Sequence, residues 1–345
     1  METIIISNTN DLQQAADILQ EGGLVASPTE TVYGLCANAL NEEAVKNIYK
    51  AKGRPSDNPL IVHIADLSML QPLVTEISPI AKTLMDHFWP GPMTLVFKAS
   101  KIVPKVVTGG LDTVAVRFPS DPTIQNLIKT SKLPLAAPSA NTSGKPSPTN
   151  FTRVYEDLNG KIDCIIQGGN SAFGVESTVI DTTSEIATIL RPGGVTFEML
   201  EEVLGNVMID PALGHKLKEG EVPKAPGMKY THYAPNAEVI IVKGEKDKVI
   251  AKINELVREG QNLGKKIGVM ATDETLSLFN ADTIFSVGTE KNPTTIAANL
   301  FEVLRKYDDE KVDIVYTLAF QTTGIGGAIM NRLEKSAGYH FIEAY

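Results

Sequence analysis

Short apolar runs, separated by turns rich in proline and glycine, dominate the first 205 residues and predict a sheet of many short strands. The predicted strands are TIIIS, GLVAS, LIVHI, MTLVFK, TVAVRF, LPLAAP, DCIIQ, STVID and ATILR. Helical periodicity appears between or after these strands, at 10–21, 42–51, 78–88, 121–131 and 196–204. Since the helices interrupt the strands irregularly, the pattern indicates a mixed α/β sheet and not a regular βαβ repeat.

After residue 237 the pattern changes, because strands and helices now alternate regularly. The strand EVIIVK is followed by a helix over 246–259, the strand KIGVMA, a short helix and the strand TIFSVG. A helix over 293–306, the strand VDIVYTLAF and a helix over 327–337 complete the series. This alternation predicts a smaller, doubly wound parallel sheet of the Rossmann-like kind over 237–345.

Residues 206–236 join the two predicted domains, carry four prolines and show little periodicity. A structureless segment of more than about 12–15 residues is usually either a linker or a functional lid. The end of this segment, PGMKYTHYAP, is rich in aromatic and basic side chains that a mere spacer does not need. We therefore predict three parts: a catalytic domain over 1–205, a linker that acts as a lid over the active site, and the C-terminal domain.

Composition narrows the functional classes. The 345 residues are 43% hydrophobic and 21% charged, which is typical of globular domains, and the net charge of −9 weighs against a protein whose main task is to bind the nucleic-acid backbone. No apolar run approaches the ~18 residues of a membrane span, and the N-terminus lacks the basic segment of a secretory signal. Two distant cysteines and five scattered histidines show no metal-ligand spacing. We expect a cytoplasmic protein without membrane association or a protein-bound metal.

The stretch KAKGRPSDNPLIVH places Lys50, Lys52 and Arg54 beside an apolar strand. The preceding helix begins after Asn41, a residue that favours helix N-caps. Pro55 disfavours the helical conformation for Arg54, so we expect the helix to end and the chain to extend. Lys52 and Arg54 would then share one face, at a helix–strand junction where α/β proteins often bind ligands. A solvated helix C-terminus would explain the three cations equally well.

Two polar residues interrupt apolar strands. His63 lies within LIVHI, a position where a histidine is more often a satisfied core residue than a catalytic one. In TVAVRF, alternation places Thr113, Ala115 and Arg117 on one face of the strand. An inward-facing arginine needs an anionic partner, which is either a carboxylate or phosphate of a ligand or an acidic side chain of the protein.

The loop APSANTSGKPSPT combines five hydroxyl residues with Asn141 and Lys145. Ser139 and Asn141 share a face if the chain is extended, and such loops bind phosphate through hydroxyls and backbone N–H groups, although most are plain turns. The segments GVESTVID and ILRPGG add Ser177 and Arg191 near strand ends. A glycine-rich segment, TTGIGGAIMN, follows the last strand of its domain and not the first, so we interpret it as a helix-capping turn. No GxSxG or Walker motif is present.

Eight segments in this order resemble the threonylcarbamoyl-adenylate synthases, also called the YrdC-like proteins: SPTETVYGL, KAKGRPSDNPLIVH, FWPGPMTLV, TVAVRFP, APSANTSGKPSPT, GVESTVID, ILRPG and PGMKYTHYAP. The C-terminal domain and the run AIMNRLEKSA resemble the long form of that family, so the resemblance covers essentially the whole chain. It implies a YrdC-like twisted mixed sheet and synthesis of L-threonylcarbamoyl-AMP from L-threonine, bicarbonate or CO2, and ATP with Mg2+. Diphosphate is the second product, and a tRNA threonylcarbamoyl transferase complex would use the adenylate to modify the adenosine beside the anticodon.

The resemblance also implies roles for the residues that match the family's motifs. Its KxR…SxN tetrad, assigned to catalysis, falls on Lys52, Arg54, Ser139 and Asn141. The residues that match ATP contacts are Arg54, Asn58, Thr113, Ser139, Ser147, Arg191 and Tyr230. Those that match L-threonine contacts are Thr31, His63, Arg117, Ala137 and Ser177. The attack of a carbamate on ATP needs positioning and charge neutralisation but no covalent nucleophile, which fits these residue types.

Two other functions compete with this interpretation. A double-stranded RNA- or ribosome-binding module of the same fold could use a cationic cleft, but the acidic balance and the lack of basic stripes with interleaved aromatics oppose it. Carbamoyl transfer from carbamoyl phosphate would use similar phosphate-binding loops. Direct tRNA binding stays open at this point.

Overall fold

A computed structural model describes residues 2–56, 58–214 and 233–345, which fall into two compact units. Unit 1 comprises residues 1–143 and 147–230, and unit 2 comprises residues 144–146 and 231–345. Much of the predicted lid, including Tyr230, lies outside the described residues. The lid and the domain limits at 205 and 237 therefore remain predictions.

Unit 1 combines many short strands with short helices. Its strands are β1 (Ile4–Ile6), β2 (Val25–Ser27), β3 (Gly34–Asn38), β4 (Ile61–His63), β5 (Met93–Lys98), β6 (Thr113–Arg117), β7 (Leu135–Ala136), β8 (Cys164–Ile166), β9 (Thr178–Asp181), β10 (Ala187–Arg191) and β11 (Val207–Ile209). Its α-helices are α1 (Gln13–Gln20), α2 (Glu42–Lys52), α3 (Pro79–Phe88), α4 (Lys105–Thr108), α5 (Pro122–Ser131), α6 (Phe151–Leu158) and α7 (Phe197–Leu204). Short 3-10 turns lie at Leu67–Met69, Gln71–Leu73 and Pro211–Gly214.

The strands of unit 1 form one mixed sheet in the order β1-β8-β2-β3-β7-β4-β6-β5-β9-β10-β11. Neighbours such as β4 and β6 run parallel, whereas β5 and β6 run antiparallel. Leu95, Val116 and Ile180 from adjacent strands meet in the buried core beneath the helices. The predicted mixed α/β sheet is confirmed, and each of the nine predicted strand runs contains a strand.

Two strands and two helices of unit 1, β3, β11, α4 and α6, were not predicted from the sequence, and α4 is only four residues long. The strand β3 has the sequence GLCAN, whose small residues have weak strand preference, and it is held by β2 on one side and β7 on the other. The strand β11 is only three residues long. The helix α6 follows a loop rich in serine and proline, and its cap is local, because Asn150 Oδ1 accepts the Arg153 N–H at 3.1 Å.

The end of helix α2 corrects one prediction. The helix continues through Lys52 and ends at Gly53, which adopts a left-handed conformation with φ of 62°. Glycine stops the helix here because it has no Cβ to oppose that conformation. The prediction that Lys52 and Arg54 lie on one extended segment is therefore wrong.

Unit 2 has a regular architecture. Its strands are β12 (Glu238–Gly244), β13 (Ile267–Ala271), β14 (Thr283–Ser286), β15 (Ile314–Leu318) and β16 (Phe341–Ala344). Its helices are α8 (Lys246–Asn262), α9 (Pro293–Asp309) and α10 (Gly326–Ser336), with a 3-10 turn at Leu276–Leu278. The strand order is β14-β13-β15-β12-β16, and each of these pairings is parallel.

The central strands of unit 2 are covered on both faces. The four consecutive residues Val239, Ile240, Ile241 and Val242 are all buried, as expected of a parallel sheet between two helical layers. The predicted doubly wound parallel sheet is confirmed. None of the described helices is both long enough and apolar enough to cross a membrane.

Candidate active site

Strands β4 and β6 bring two of the predicted site residues together. The strands are parallel and in a register that pairs His63 with Arg117, so both side chains lie at the carboxyl ends of their strands. The antiparallel neighbour β5 places Thr94 opposite Arg117. Polar groups at the carboxyl edge of neighbouring strands are a common arrangement for a ligand site.

Arg117 forms a buried ion pair with Glu30. Its Nη2 lies 2.7 Å from Glu30 Oε1, and its Nη1 donates to Thr31 Oγ1 at 2.8 Å. Burial pushes the pKa of Glu30 up, but the charge of Arg117 and hydrogen bonds from Ser120 and Arg117 outweigh it and hold that pKa below its ordinary value. Arg117 Nη2 is thus paired with Glu30 Oε1, whereas Glu30 Oε2 is buried and makes no hydrogen bond within the described part of the chain. A buried group left in this state points to an absent partner such as a ligand.

His63 is buried and electrically neutral. Burial, together with the charge of Arg117, lowers the pKa of His63 to about 3. Its Nδ1 lies 3.2 Å from the carbonyl oxygen of Ile61, which can only accept, so Nδ1 carries the proton. Nε2 therefore keeps its lone pair and can accept a hydrogen bond from a ligand amine or hydroxyl.

The buried neutral state of His63 predicts a loss of stability in acid. The His63 side chain binds a proton below pH 6.5 in the unfolded chain, but only near pH 3 in the folded chain. The contribution of neutral His63 to the free energy of unfolding is therefore complete above pH 6.5 and is lost as the pH falls towards 3. Urea denaturation of the parent chain should show ~2 kcal/mol more loss of unfolding free energy from pH 6.5 to 5 than denaturation of His63→Gln. His87→Gln, which alters an exposed histidine, should match the parent. Equal losses in the parent and His63→Gln would contradict this prediction.

Ser177 and Arg191 belong to a neighbouring group of contacts. The Ser177 hydroxyl lies 2.7 Å from Thr94 Oγ1, and it accepts from Arg191 Nη2 at 3.2 Å. Arg191 Nε also donates to the Ser177 carbonyl oxygen at 3.1 Å. Because Thr94 pairs with Arg117 across the sheet, this group adjoins the ion pair.

Gly193 allows the backbone to approach this group closely. A Cβ at Gly193 would collide with the backbone nitrogen of Thr178 and the carbonyl oxygen of Glu176. We expect Gly193→Ala to lower the free energy of unfolding by ~1–3 kcal/mol, the usual cost of overpacking. Gly169→Ala, which enters open space, is the control and should stay within ~0.5 kcal/mol of the parent. Urea denaturation checks this, and equal stability of the two variants would refute the close approach.

Lys52 binds the loop that carries Ser139 and Asn141. Its Nζ donates to the carbonyl oxygens of Ser139 and Asn141, the latter at 2.6 Å, and lies 3.4 Å from Asn141 Oδ1. The Ser139 hydroxyl donates to Asn141 Oδ1 at 2.6 Å. The structure thus brings together three members of the tetrad, Lys52, Ser139 and Asn141, and the buried lysine fixes the shape of the loop.

Arg54, the fourth member, lies on the segment that follows helix α2. Its Nη2 is 3.4 Å from the carbonyl oxygens of both Asn58 and Pro59, and its guanidinium lies 5.9 Å from the centre of the Tyr49 ring. Asn58 is completely buried, yet neither its Oδ1 nor its Nδ2 makes a hydrogen bond within the described residues. An amide in this state again points to a ligand as its partner.

The remaining predicted residues occupy separate positions. Ala137 donates its N–H to Ile61 O at 3.0 Å, two residues before His63. The Ser147 hydroxyl donates to Glu176 Oε1 at 2.6 Å. Thr113 begins strand β6, at the end opposite Arg117. Tyr230 lies outside the described residues.

Two family models match this chain. A family model described as telomere recombination, which joins the Sua5, YciO and YrdC proteins, matches residues 17–193. A second model, the C-terminal domain of threonylcarbamoyl-AMP synthase, matches residues 195–338. A curated threonylcarbamoyl-AMP synthase of Pyrococcus abyssi is 50% identical over 346 aligned positions, and the match covers 99% of each chain.

The chain belongs to the threonylcarbamoyl-AMP synthase family.

Two further relatives agree with this membership. The threonylcarbamoyl-AMP synthase of Bacillus subtilis is 50% identical over 96% of this chain and 94% of its own. The crystal structure of P. abyssi Sua5 in complex with L-threonine is similar, with a TM-score of 0.94, 50% identity and coverage of 99% of this chain and 100% of that one. The resemblance of the eight sequence segments to the threonylcarbamoyl-AMP synthase family is confirmed.

The sequence alone did not identify two of the polar residues around Arg117. Glu30 is next to Thr31 in SPTETVYGL, but only folding brings it to an arginine so distant in the chain. The inward position of Arg117 did signal that an acidic partner or an anionic ligand was needed. Thr94 gave no signal, because a threonine in a strand is unremarkable without knowledge of the register.

Proposed function

We propose that this chain synthesises L-threonylcarbamoyl-AMP from L-threonine, bicarbonate or CO2, and ATP, and releases diphosphate. The observation that carries the proposal is the buried Arg117–Glu30 pair, whose unsatisfied carboxylate oxygen lies near a neutral His63. The names of the curated relatives and the threonine complex of the P. abyssi protein support the same substrate. Release of diphosphate that depends on both threonine and bicarbonate tests it.

Threonine would be recognised by the polar groups around Arg117. The guanidinium already shares its charge with Glu30, but Nη2 still offers a donor to the threonine carboxylate. His63 Nε2 and the Thr31 hydroxyl would bind the amine and hydroxyl of threonine. Ala137 and Ser177 would complete the pocket. Because the pKa of His63 is about 3, it accepts a hydrogen bond here but is a poor base at neutral pH.

ATP would bind beside the loop held by Lys52. Ser139 and Asn141 present polar side chains, and the buried amide of Asn58 lacks a protein partner in the described part of the chain. Arg54 and Arg191 would add positive charge along the triphosphate. Thr113, Ser147 and Tyr230 are the further proposed contacts of the nucleotide.

The chemistry then needs no covalent intermediate on the protein. The amine of threonine adds to CO2 and loses a proton, which gives an N-carboxylate. An oxygen of this carbamate attacks the α-phosphorus of ATP, and the bond from that phosphorus to the bridging oxygen of diphosphate breaks. The role of the protein is to align the reactants and to neutralise charge on the leaving diphosphate.

Mg2+ would arrive on the triphosphate and supply further charge neutralisation there. Among the described residues, no three histidine, cysteine or acidic side chains cluster as a metal site. The cationic and amide groups of Lys52, Arg54 and Asn141 fit a metal–nucleotide complex that is bound through its phosphate oxygens. We propose that the ion is held by the nucleotide and not by a dedicated protein cage.

A lid would protect the carbamate, which is labile in water. We therefore expect deletion of 215–345, which spares strand β11, to abolish diphosphate release while the remaining domain stays folded, as judged by circular dichroism and cooperative urea unfolding. The threonylcarbamoyl-AMP synthase of Vibrio vulnificus matches 53% of this chain over 99% of its own length. A relative of about this shorter length supports the expectation that the truncated protein folds by itself. A fully active truncated protein would rule out the lid.

We place the protein in the cytoplasm, where its product would pass to a tRNA threonylcarbamoyl transferase complex. The adenylate is a reactive mixed anhydride, so the consuming reaction must transfer its acyl group to a nucleophile such as the adenine amine.

A further inference from the structure

A cavity of about 220 Å3 opens in unit 2, and its lining includes none of the residues assigned to catalysis. Thr272, which follows β13, and Phe320, which follows β15, both line it. In the strand order, β14 lies next to β13 at one edge of the sheet, and β16 lies beyond β15 towards the other edge. The chain therefore runs in opposite directions along the sheet after β13 and after β15. The cavity therefore lies at the carboxyl edge, where the strand order switches, which is the usual ligand position in a doubly wound sheet.

Opposite charges are held together at the rim of this cavity. Lys246 Nζ lies 2.9 Å from both carboxylate oxygens of Glu290. Thr272 Oγ1 donates to Glu290 Oε1 at 3.1 Å and so fixes the carboxylate. The side chains of Lys246 and Glu290 are 48% and 43% exposed, so water and solutes can reach both charges.

The inner wall is apolar, and the backbone adds positive potential. Val249, Ile296 and Phe320 contribute apolar surface to the lining. The first residues of α8, α9 and α10 also line the cavity, so the positive ends of three helix dipoles face it. A ligand that suits this surface has an anionic group, an apolar body and a cationic group that meets Glu290.

The glycine-rich turn before α10 is not arranged for a dinucleotide. The N–H groups of Gly326, Gly327 and Ala328 donate within the turn, to Thr323 O at 3.0 Å, Gly324 O at 3.3 Å and Ile325 O at 3.0 Å respectively. A Cβ at Gly326 would collide with the carbonyl oxygen of Gln321, so this glycine is needed by the turn itself. TTGIGGAIMN leads into α10 without a side-chain cap at Ile325, so its interpretation as a helix-capping turn stays a prediction. A phosphate dianion at the cavity would also be repelled by Glu290.

We propose that this cavity binds a free α-amino acid with an apolar side chain. Its carboxylate lies between Lys246 and the helix N-termini, its ammonium group binds Glu290, and its side chain packs against Val249, Ile296 and Phe320. A zwitterion carries one positive and one negative group, which can pair with Glu290 and Lys246 respectively. A simple anion or cation can pair with only one of these two side chains. The volume of about 220 Å3 accommodates side chains of the size of leucine or phenylalanine, since one water needs only ~10–15 Å3 on the same measure.

Calorimetric titration of the full chain with L-leucine and with L-phenylalanine tests the proposal. The titrations are made with saturating L-threonine, so that the proposed catalytic pocket is filled. We expect saturable binding of at least one of the two amino acids. Isovalerate, which lacks the ammonium group, and isoamylamine, which lacks the carboxylate, should bind at least ~10-fold more weakly, since one charged hydrogen bond is worth ~1.5–3 kcal/mol.

Variants locate the binding in the cavity. Glu290→Gln should weaken amino-acid binding by ~10-fold or more. Thr323→Trp, at the exposed mouth, should abolish it without loss of thermal stability, and Arg117→Lys should leave it unchanged. Diphosphate release in the absence of leucine should be unaffected by Glu290→Gln. Absence of saturable binding for both amino acids, equal binding of isovalerate, or binding that survives both Glu290→Gln and Thr323→Trp overturns the proposal.

Discussion

Replacing Arg117 by lysine is expected to raise the KM for L-threonine by ~10–100-fold and to leave the KM for ATP nearly unchanged. Lysine keeps the positive charge that Glu30 needs, but it cannot form the planar fork of donors that holds a carboxylate. The measurement is threonine-dependent diphosphate release at saturating ATP and bicarbonate.

Arg117→Ala should also lower the stability of the protein, in addition to weakening threonine binding. It leaves the ionised carboxylate of Glu30 buried without its partner, which destabilises proteins by ~3–5 kcal/mol. The double variant Arg117→Met with Glu30→Gln removes both charges and should recover most of that stability, but not the threonine affinity. Arg258→Ala, on the exposed face of α8, is the surface control. A threonine KM of the parent value in Arg117→Lys and in the double variant would refute the assigned role.

Replacing Lys52 by methionine should lower kcat by ~10²–10³-fold, an effect of the size seen when one preorganised polar group of an active site is lost. Lys52 Nζ binds the carbonyl oxygens of Ser139 and Asn141, so its loss removes a charge and also releases the loop. Threonine affinity, measured by calorimetry in the absence of ATP, should change little, because the groups around Arg117 do not depend on Lys52.

Lys50→Met is the matched control for Lys52→Met. Lys50 belongs to the same basic stretch and the same last turn of α2, but its side chain is exposed. Because Lys50 is exposed whereas Lys52 is buried against the loop, Lys50→Met should keep the parental kcat. A selective loss in Lys52→Met supports the nucleotide site, and parental kcat in Lys52→Met would refute it.

Local sequence patterns predicted most of the strands and helices. The apolar runs in MTLVFK and TVAVRF are strong because both faces of these strands are buried, with Leu95 in the larger core and Val96 in a second cluster. The helix after Asn41 has the expected cap, with Asn41 Oδ1 3.1 Å from the Glu43 nitrogen. The strand β3 was missed because its pairing with β2 and β7, and not its own composition, makes it a strand.

The site was predictable in its parts but not in its contacts. Motif resemblance named Lys52, Ser139 and Asn141, yet it did not indicate that the lysine would bind the loop carbonyls. The error at Lys52 and Arg54 arose because Gly53, and not Pro55, ends the helix. Glu30 could not be assigned to Arg117 from sequence, because that contact depends on folding of distant segments.

The most direct test of the central claim is diphosphate release from ATP and Mg2+ by the full chain, with and without L-threonine and bicarbonate. We predict release only when both are present, together with formation of threonylcarbamoyl-AMP in equal amount, detected by mass spectrometry. Release that does not depend on threonine, or no release at all with a folded protein, would contradict the assignment.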